Sequence, residues 1–155
     1  MMTTSSIVVV IATIGLALAA CGSSPSGPSV AALSGSWTGP GSNSLGRHTL
    51  SLNITQNGSV LSGTAATKAL DAADGSCSSC HMNKMGTLTG TINGSTVALD
   101  IVFPSGNAAE PTPICSATLT LTATLVTPAQ LAGPYTGGDT CEGVWTSATV
   151  TLNKQ

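Results

Sequence analysis

The chain has 155 residues, of which only 6% are charged, 41% are hydrophobic and 3% are aromatic. The four basic residues are dispersed as Arg47, Lys68, Lys84 and Lys154, and the formal net charge is -2. That excludes a basic nucleic-acid-binding face and any strong electrostatic steering, and the low charge with high apolar content argues against a disordered chain.

The first element is an apolar run from Ile7 to Ala20. It has the length of a signal-peptide core and is too short to cross a bilayer comfortably as a helix. Small residues close it and Cys21 follows. Residues 22–33 are biased to Gly, Ser and Pro, as a flexible tether is, with a reach of roughly 20 Å. One domain remains, over residues 34–155.

That domain reads as strands. Residues 34–39 carry Trp37. Residues 47–56 alternate, with Leu50, Leu52 and Ile54 on one side and Thr49, Ser51, Asn53 and Thr55 on the other. Asn57-Gly58 predicts a hairpin with positive φ at both turn positions, and residues 60–67 return. A loop over 68–84 holds the charged and sulfur-bearing residues. Strands over 86–92 and 96–103 flank a second such turn, Asn93-Gly94. After a Pro-bearing loop, residues 116–126 place Ala117, Leu119, Leu121, Ala123 and Leu125 inside and four threonines outside. Strands over 131–136 and 144–152 finish the chain.

Eight hairpin-linked strands with one apolar face must hide that face and two edges. The expected fold is therefore an all-β, antiparallel up-and-down barrel of about eight strands, with a two-sheet β-sandwich as the alternative. The barrel mouth is expected beside the 68–84 and 104–114 loops.

Two resemblances follow. Leu18-Ala19-Ala20-Cys21 resembles the lipobox of bacterial lipoproteins. It implies a signal peptide over 1–20, cleavage after Ala20, and lipid-modified Cys21 holding the protein to a membrane in the cell envelope. Gly22, where Asp would favour inner-membrane retention, implies the outer membrane in a Gram-negative cell. The domain's opening, Gly35-Ser36-Trp37, is similar to the Gly-x-Trp start of lipocalins and avidins, the calycin barrels. In them the matching Trp plugs one barrel end, the role this implies for Trp37. Here the last strand offers no Arg to cover it, and the Trp-rich biotin site of avidins is not reproduced.

With Cys21 assigned to lipid, Cys77, Cys80, Cys115 and Cys141 remain. An even set in an exported domain reads first as two disulfides, with Cys77–Cys80 and Cys115–Cys141 the preferred pairing among three. Cys77-Ser78-Ser79-Cys80-His81 also has the form of a c-type haem attachment motif, with His81 as axial ligand. The third chemistry is a Cu(I) site, because Cys77, Cys80, His81, Met82 and Met85 are soft ligands. His48 reads as an ordinary strand-end histidine, Asp71 and Asp74 as solvated carboxylates, and Asp100 as a surface charge. No nucleophile elbow, phosphate-binding loop or zinc-protease motif occurs. The expectation is a non-enzymatic module that binds a small ligand or a protein partner and needs no cofactor, with haem c or copper as alternatives. Intact mass measured before and after reduction separates these: two disulfides add about four hydrogens, whereas a haem adduct survives reduction.

Overall fold

The computed structural model describes residues 31–70, 84–106 and 115–155. Cys21, Cys77, Cys80, His81 and Met82, with Asp71 and Asp74, lie outside the described residues.

Nine strands form: β1 (Gly35–Asn43), β2 (Gly46–Asn57), β3 (Val60–Ala69), β4 (Lys84–Asn93), β5 (Thr96–Phe103), β6 (Ala117–Thr127), β7 (Gln130–Asp139), β8 (Gly143–Trp145) and β9 (Thr149–Lys154). Each of β1 to β7 pairs antiparallel with the next, and β9 pairs with both β7 and β1. This closes an eight-stranded up-and-down barrel, to which β8 is an extra strand. The sandwich alternative is thereby set aside.

Alternation in the sequence becomes alternation across the wall. Val97, Leu99, Ile101 and Phe103 of β5, and Ala117, Leu119, Leu121 and Ala123 of β6, are buried inside. Thr118, Thr120, Thr122 and Thr124 face outward and are exposed. Threonine suits this position because its branched side chain fits a pleated surface while its hydroxyl meets water. The arrangement is the reverse of a membrane-spanning barrel, whose apolar band faces out.

Two predicted details differ. The hairpin turns lie one residue further on than Asn-Gly implies. Asn57 pairs with Val60 and Asn93 with Thr96, so the central residues are Gly58-Ser59 and Gly94-Ser95. Only the glycines have positive φ, both at 60°. That is the glycine-first pattern of two-residue hairpins, in which Asn ends the strand instead of entering the turn. The last predicted strand is also broken in two. Thr146, Ser147 and Ala148 lie opposite only Tyr135 and Thr136 of β7, a bulge between the β8 and β9 pairings.

The two ends of the barrel differ. The β2–β3, β4–β5 and β6–β7 hairpins share one end, where the chain enters at Leu33 and leaves at Gln155. There Trp37 is fully buried and its indole N–H donates to the Leu33 carbonyl at 2.8 Å. Lys154 lies opposite Trp37 in register, with its ammonium 5.5 Å from the ring centroid. A lysine thus supplies the cationic cover for which the last strand has no Arg. Replacing Trp37 with Ala removes the largest fully buried side chain at this end. Chemical denaturation should show a loss of about 3–5 kcal/mol, and a loss under 1 kcal/mol would mean the indole is not part of the core.

Candidate functional site

The opposite end carries the buried polar groups. It is where β3 ends and β4 begins, where β5 ends and β6 begins, and where β7 turns into β8. His48, Thr67, Lys84 and Asp139 are the buried polar or charged residues there, with Tyr135 and Trp145 beside them. They come from β2, β3, β4, β7 and β8, and each sits on the inward register of its strand.

Lys84 was expected in the loop but opens β4, opposite Thr67. It shares the inward parity of Leu88 and Ile92, so its stem runs into the barrel. Its ammonium donates to the Cys115 carbonyl. Burial pushes its pKa below the ordinary value, while the Asp139 carboxylate pulls the other way.

Asp139 organises the β7–β8 turn. Its Oδ1 accepts the backbone N–H groups of Cys141, at 2.8 Å, and Glu142, at 2.6 Å. Its Oδ2 accepts the Trp145 indole N–H at 3.1 Å. Cys141 forms the expected disulfide with Cys115, with Cα atoms 5.7 Å apart. The bridge spans 26 residues, which in the chain-entropy account stabilises by about 3.5 kcal/mol. Thr140 and Ser116 reinforce it by exchanging hydrogen bonds of 3.0 and 3.1 Å. The start of β6 and the β7–β8 turn are therefore one clamped unit.

Tyr135 joins the cluster to β1 and β2. Its hydroxyl lies 3.3 Å from His48 Nε2 and accepts from the Asn43 amide at 3.2 Å. Its ring meets those of His48 and Trp145 edge-on, at centroid distances of 5.8 and 6.4 Å. Burial pushes its pKa up to about 12, against a smaller opposing effect of the Asn43 bond.

Below this floor, among the described residues, apolar side chains such as Leu50, Leu88, Leu99, Ile101 and Leu121 are fully buried and fill the barrel. The void lined by His48, Thr67, Phe103, Leu119 and Trp145 measures about 10 Å³, about one water molecule's probe volume. Among the described residues, this void has no room for the drug-sized ligand that a hollow barrel accommodates. The wider hollows, of about 350 Å³, lie on the outer wall, for instance between Thr49, Ala66 and Met85.

The cluster offers an acceptor in Asp139, a donor in Lys84 and a buried His–Tyr contact. Its two sulfurs are bonded to each other, so neither Cys115 nor Cys141 offers a thiolate. The Sγ atoms of Cys115 and Cys141 and an Asp139 oxygen lie within 4.8 Å of one another, but a disulfide offers no thiolate to a metal.

Of the sequence-predicted site residues, Cys115 and Cys141 are brought together, and Trp37 lies at the far end. Met85 follows Lys84 but points outward and is half exposed, on the opposite side of the wall. His48, read as an ordinary strand-end residue, lies in the cluster. Asp100 is on the outer face, where it accepts from Thr120 at 2.8 Å. Lys84, Tyr135, Asp139 and Trp145 were missed as site residues. Strand parity was the available signal, since Tyr135 and Asp139 share the odd positions of buried Leu131.

No protein-family model matches the chain, and no curated protein matches it. A solved structure does: EF1p2_mFAP2b bound to DFHBI, with a TM-score of 0.55 and 17% identity, over 79% of this chain and 94% of that one. At that identity the likeness is one of fold alone, a closed antiparallel β-barrel.

Alkaline pH tests the Tyr135 environment. From pH 10 to about 12 the unfolded chain loses the tyrosine proton while the folded protein keeps it. The unfolded state binds fewer protons there, so stability falls as pH rises. Lys84 acts oppositely, because its lowered pKa makes stability rise with pH only up to 10.5. Tyr135→Phe should therefore flatten the decline above pH 10.5, read by urea unfolding at successive pH values; an unchanged slope would place the hydroxyl in water.

Proposed function

We propose that the protein is a non-enzymatic, lipid-anchored extracytoplasmic module that binds a small ligand or a surface partner at the mouth of its barrel. The observation that carries this is the cluster of Lys84, Asp139, His48 and Tyr135 at the end away from the chain's point of entry. A barrel needs no buried charges for its own stability, and burying them is costly unless they are paired. Grouped at one end, over a filled interior, they form a floor on which a compact polar group can be bound.

Three further observations support the reading. The Leu18-Ala19-Ala20-Cys21 pattern and the linker after it suit a tether. The Cys115–Cys141 bridge suits an oxidising compartment. The similar barrel, EF1p2_mFAP2b, is bound to DFHBI, which makes ligand binding a natural use of such a wall. The bridge also leaves Cys77 and Cys80 to one another or to the haem or copper chemistry of Cys77, Cys80, His81, Met82 and Met85.

Protein-observed ¹⁵N NMR with a library of small polar and aromatic compounds tests the mouth. Binders should shift resonances of His48, Tyr135 and Lys84, and lose at least about tenfold in affinity in Lys84→Met, the factor that 1.4 kcal/mol carries. Binders that shift only the outer wall around Ala66 and Met85 would remove the reading. In cells, Cys21→Ser should move the protein from the membrane fraction to the soluble one; a variant that stays with the membrane would remove the lipid anchor.

A further inference from the structure

The extra strand β8 lies at the barrel's mouth and is bounded by irregular backbone. β8 has three residues, Gly143–Trp145. Gly143 has φ of 86° on one side of it and Ser147 has φ of 53° on the other. Ser147 is the sole non-glycine residue with positive φ among the described residues, a conformation that costs free energy where a Cβ is present. Two left-handed residues and a bulge thus bound a three-residue segment. Its outward side chain, Val144, is 81% exposed, so the segment has little packing to lose on that side.

Its inward side chain is Trp145, which occupies a shaped seat. The indole lies against Gly137, where a Cβ would come within 3.2 Å of the ring. It meets the edge of Tyr135, and it borders the small void beside His48 and Phe103. Its N–H is bound by Asp139 Oδ2. Asp139 is held independently, because Oδ1 is fixed by the backbone of Cys141 and Glu142, and the disulfide fixes Cys141. If β8 swung outward, the acceptor would stay in place.

We propose that Trp145 is a displaceable plug, and that the space it fills is a binding site for a planar bicyclic heteroaromatic compound with an N–H donor, of the indole class. This rests on the mouth-binding reading and specifies its ligand. The ligand takes the bare face of Gly137 as its floor, Tyr135 as an edge contact and Asp139 Oδ2 as its acceptor. Binding then exchanges one indole for another, with β8 turning out about Gly143 and Ser147.

The test uses the full chain and indole itself. In Trp145→Ala, indole should bind and raise the melting temperature. Indene has the same shape but no N–H, and should bind about tenfold more weakly because it leaves Asp139 unpaired. In the wild-type protein labelled with 5-fluorotryptophan, the chain's two tryptophans give two ¹⁹F signals. Millimolar indole should move the Trp145 signal toward that of a solvent-exposed ring and leave Trp37 unchanged. A folded Trp145→Ala protein that takes up neither compound overturns the proposal. So does a wild-type Trp145 signal unmoved by indole, and that measurement decides alone if the variant does not fold. A compound that shifts His48 and Lys84 while the Trp145 fluorine stays still would overturn the plug and keep the mouth as the binding surface.

Discussion

Everything in this structure depends on six residues, Thr149–Lys154, being hydrogen-bonded on both sides. β9 pairs with β1 through Trp37↔Lys154 and with β7 through Gln130↔Asn153. A sheet of this length with one apolar and one threonine-rich face has no stable flat form in water, since its apolar side and two edges would stay exposed. Closure satisfies both requirements at once. It also defines an inside, and so gives meaning to the parity of every residue in every other strand.

Closure explains why the two ends diverge. At one end the turns are two residues long and the wall is capped by Trp37, with Lys154 over its ring. At the other end the inward positions pass from leucine and isoleucine to Thr67, His48, Lys84 and Asp139. The core grades from dry to polar along the barrel axis, and the polar layer is held by covalent and hydrogen bonds that converge on the β7–β8 turn. Asp139 is central there: one carboxylate oxygen serves the turn's backbone and the other serves Trp145. A turn fixed so tightly next to a wall segment so irregular is a combination that packing alone does not require.

Much of the fold was legible because threonine alternates with leucine or alanine from Ala117 to Leu125 in β6, and every second residue of β5 is a large apolar one, Val97, Leu99, Ile101 and Phe103; a period of two permits few architectures. The site was less legible, for a physical reason. Its members lie on strands far apart in sequence, and only barrel closure brings Lys84 to Asp139 or His48 to Tyr135. Lys84 was concealed by its neighbours, since a charged residue after a polar, sulfur-rich stretch reads as loop until its parity with Leu88 is considered. The break after Trp145 was hidden because a left-handed Ser147 leaves no compositional mark. The Asn-Gly pairs placed the hairpins well but the turn residues one position early, because Asn tolerates both a strand end and a turn. Lys154 falls outside the calycin resemblance, which places an Arg over the ring, although a lysine ammonium meets the same ring face.

The chain's points of entry and exit have a mechanical consequence. Leu33 and Gln155 are at the same end, on neighbouring antiparallel strands, where the Gln155 N–H donates to the Ser36 carbonyl at 2.9 Å. A pull that separates the two ends therefore peels β1 from β9 like a zipper, one hydrogen-bonded pair at a time, instead of shearing the whole ladder at once. The same wall that is closed against water is weak against tension applied across that seam.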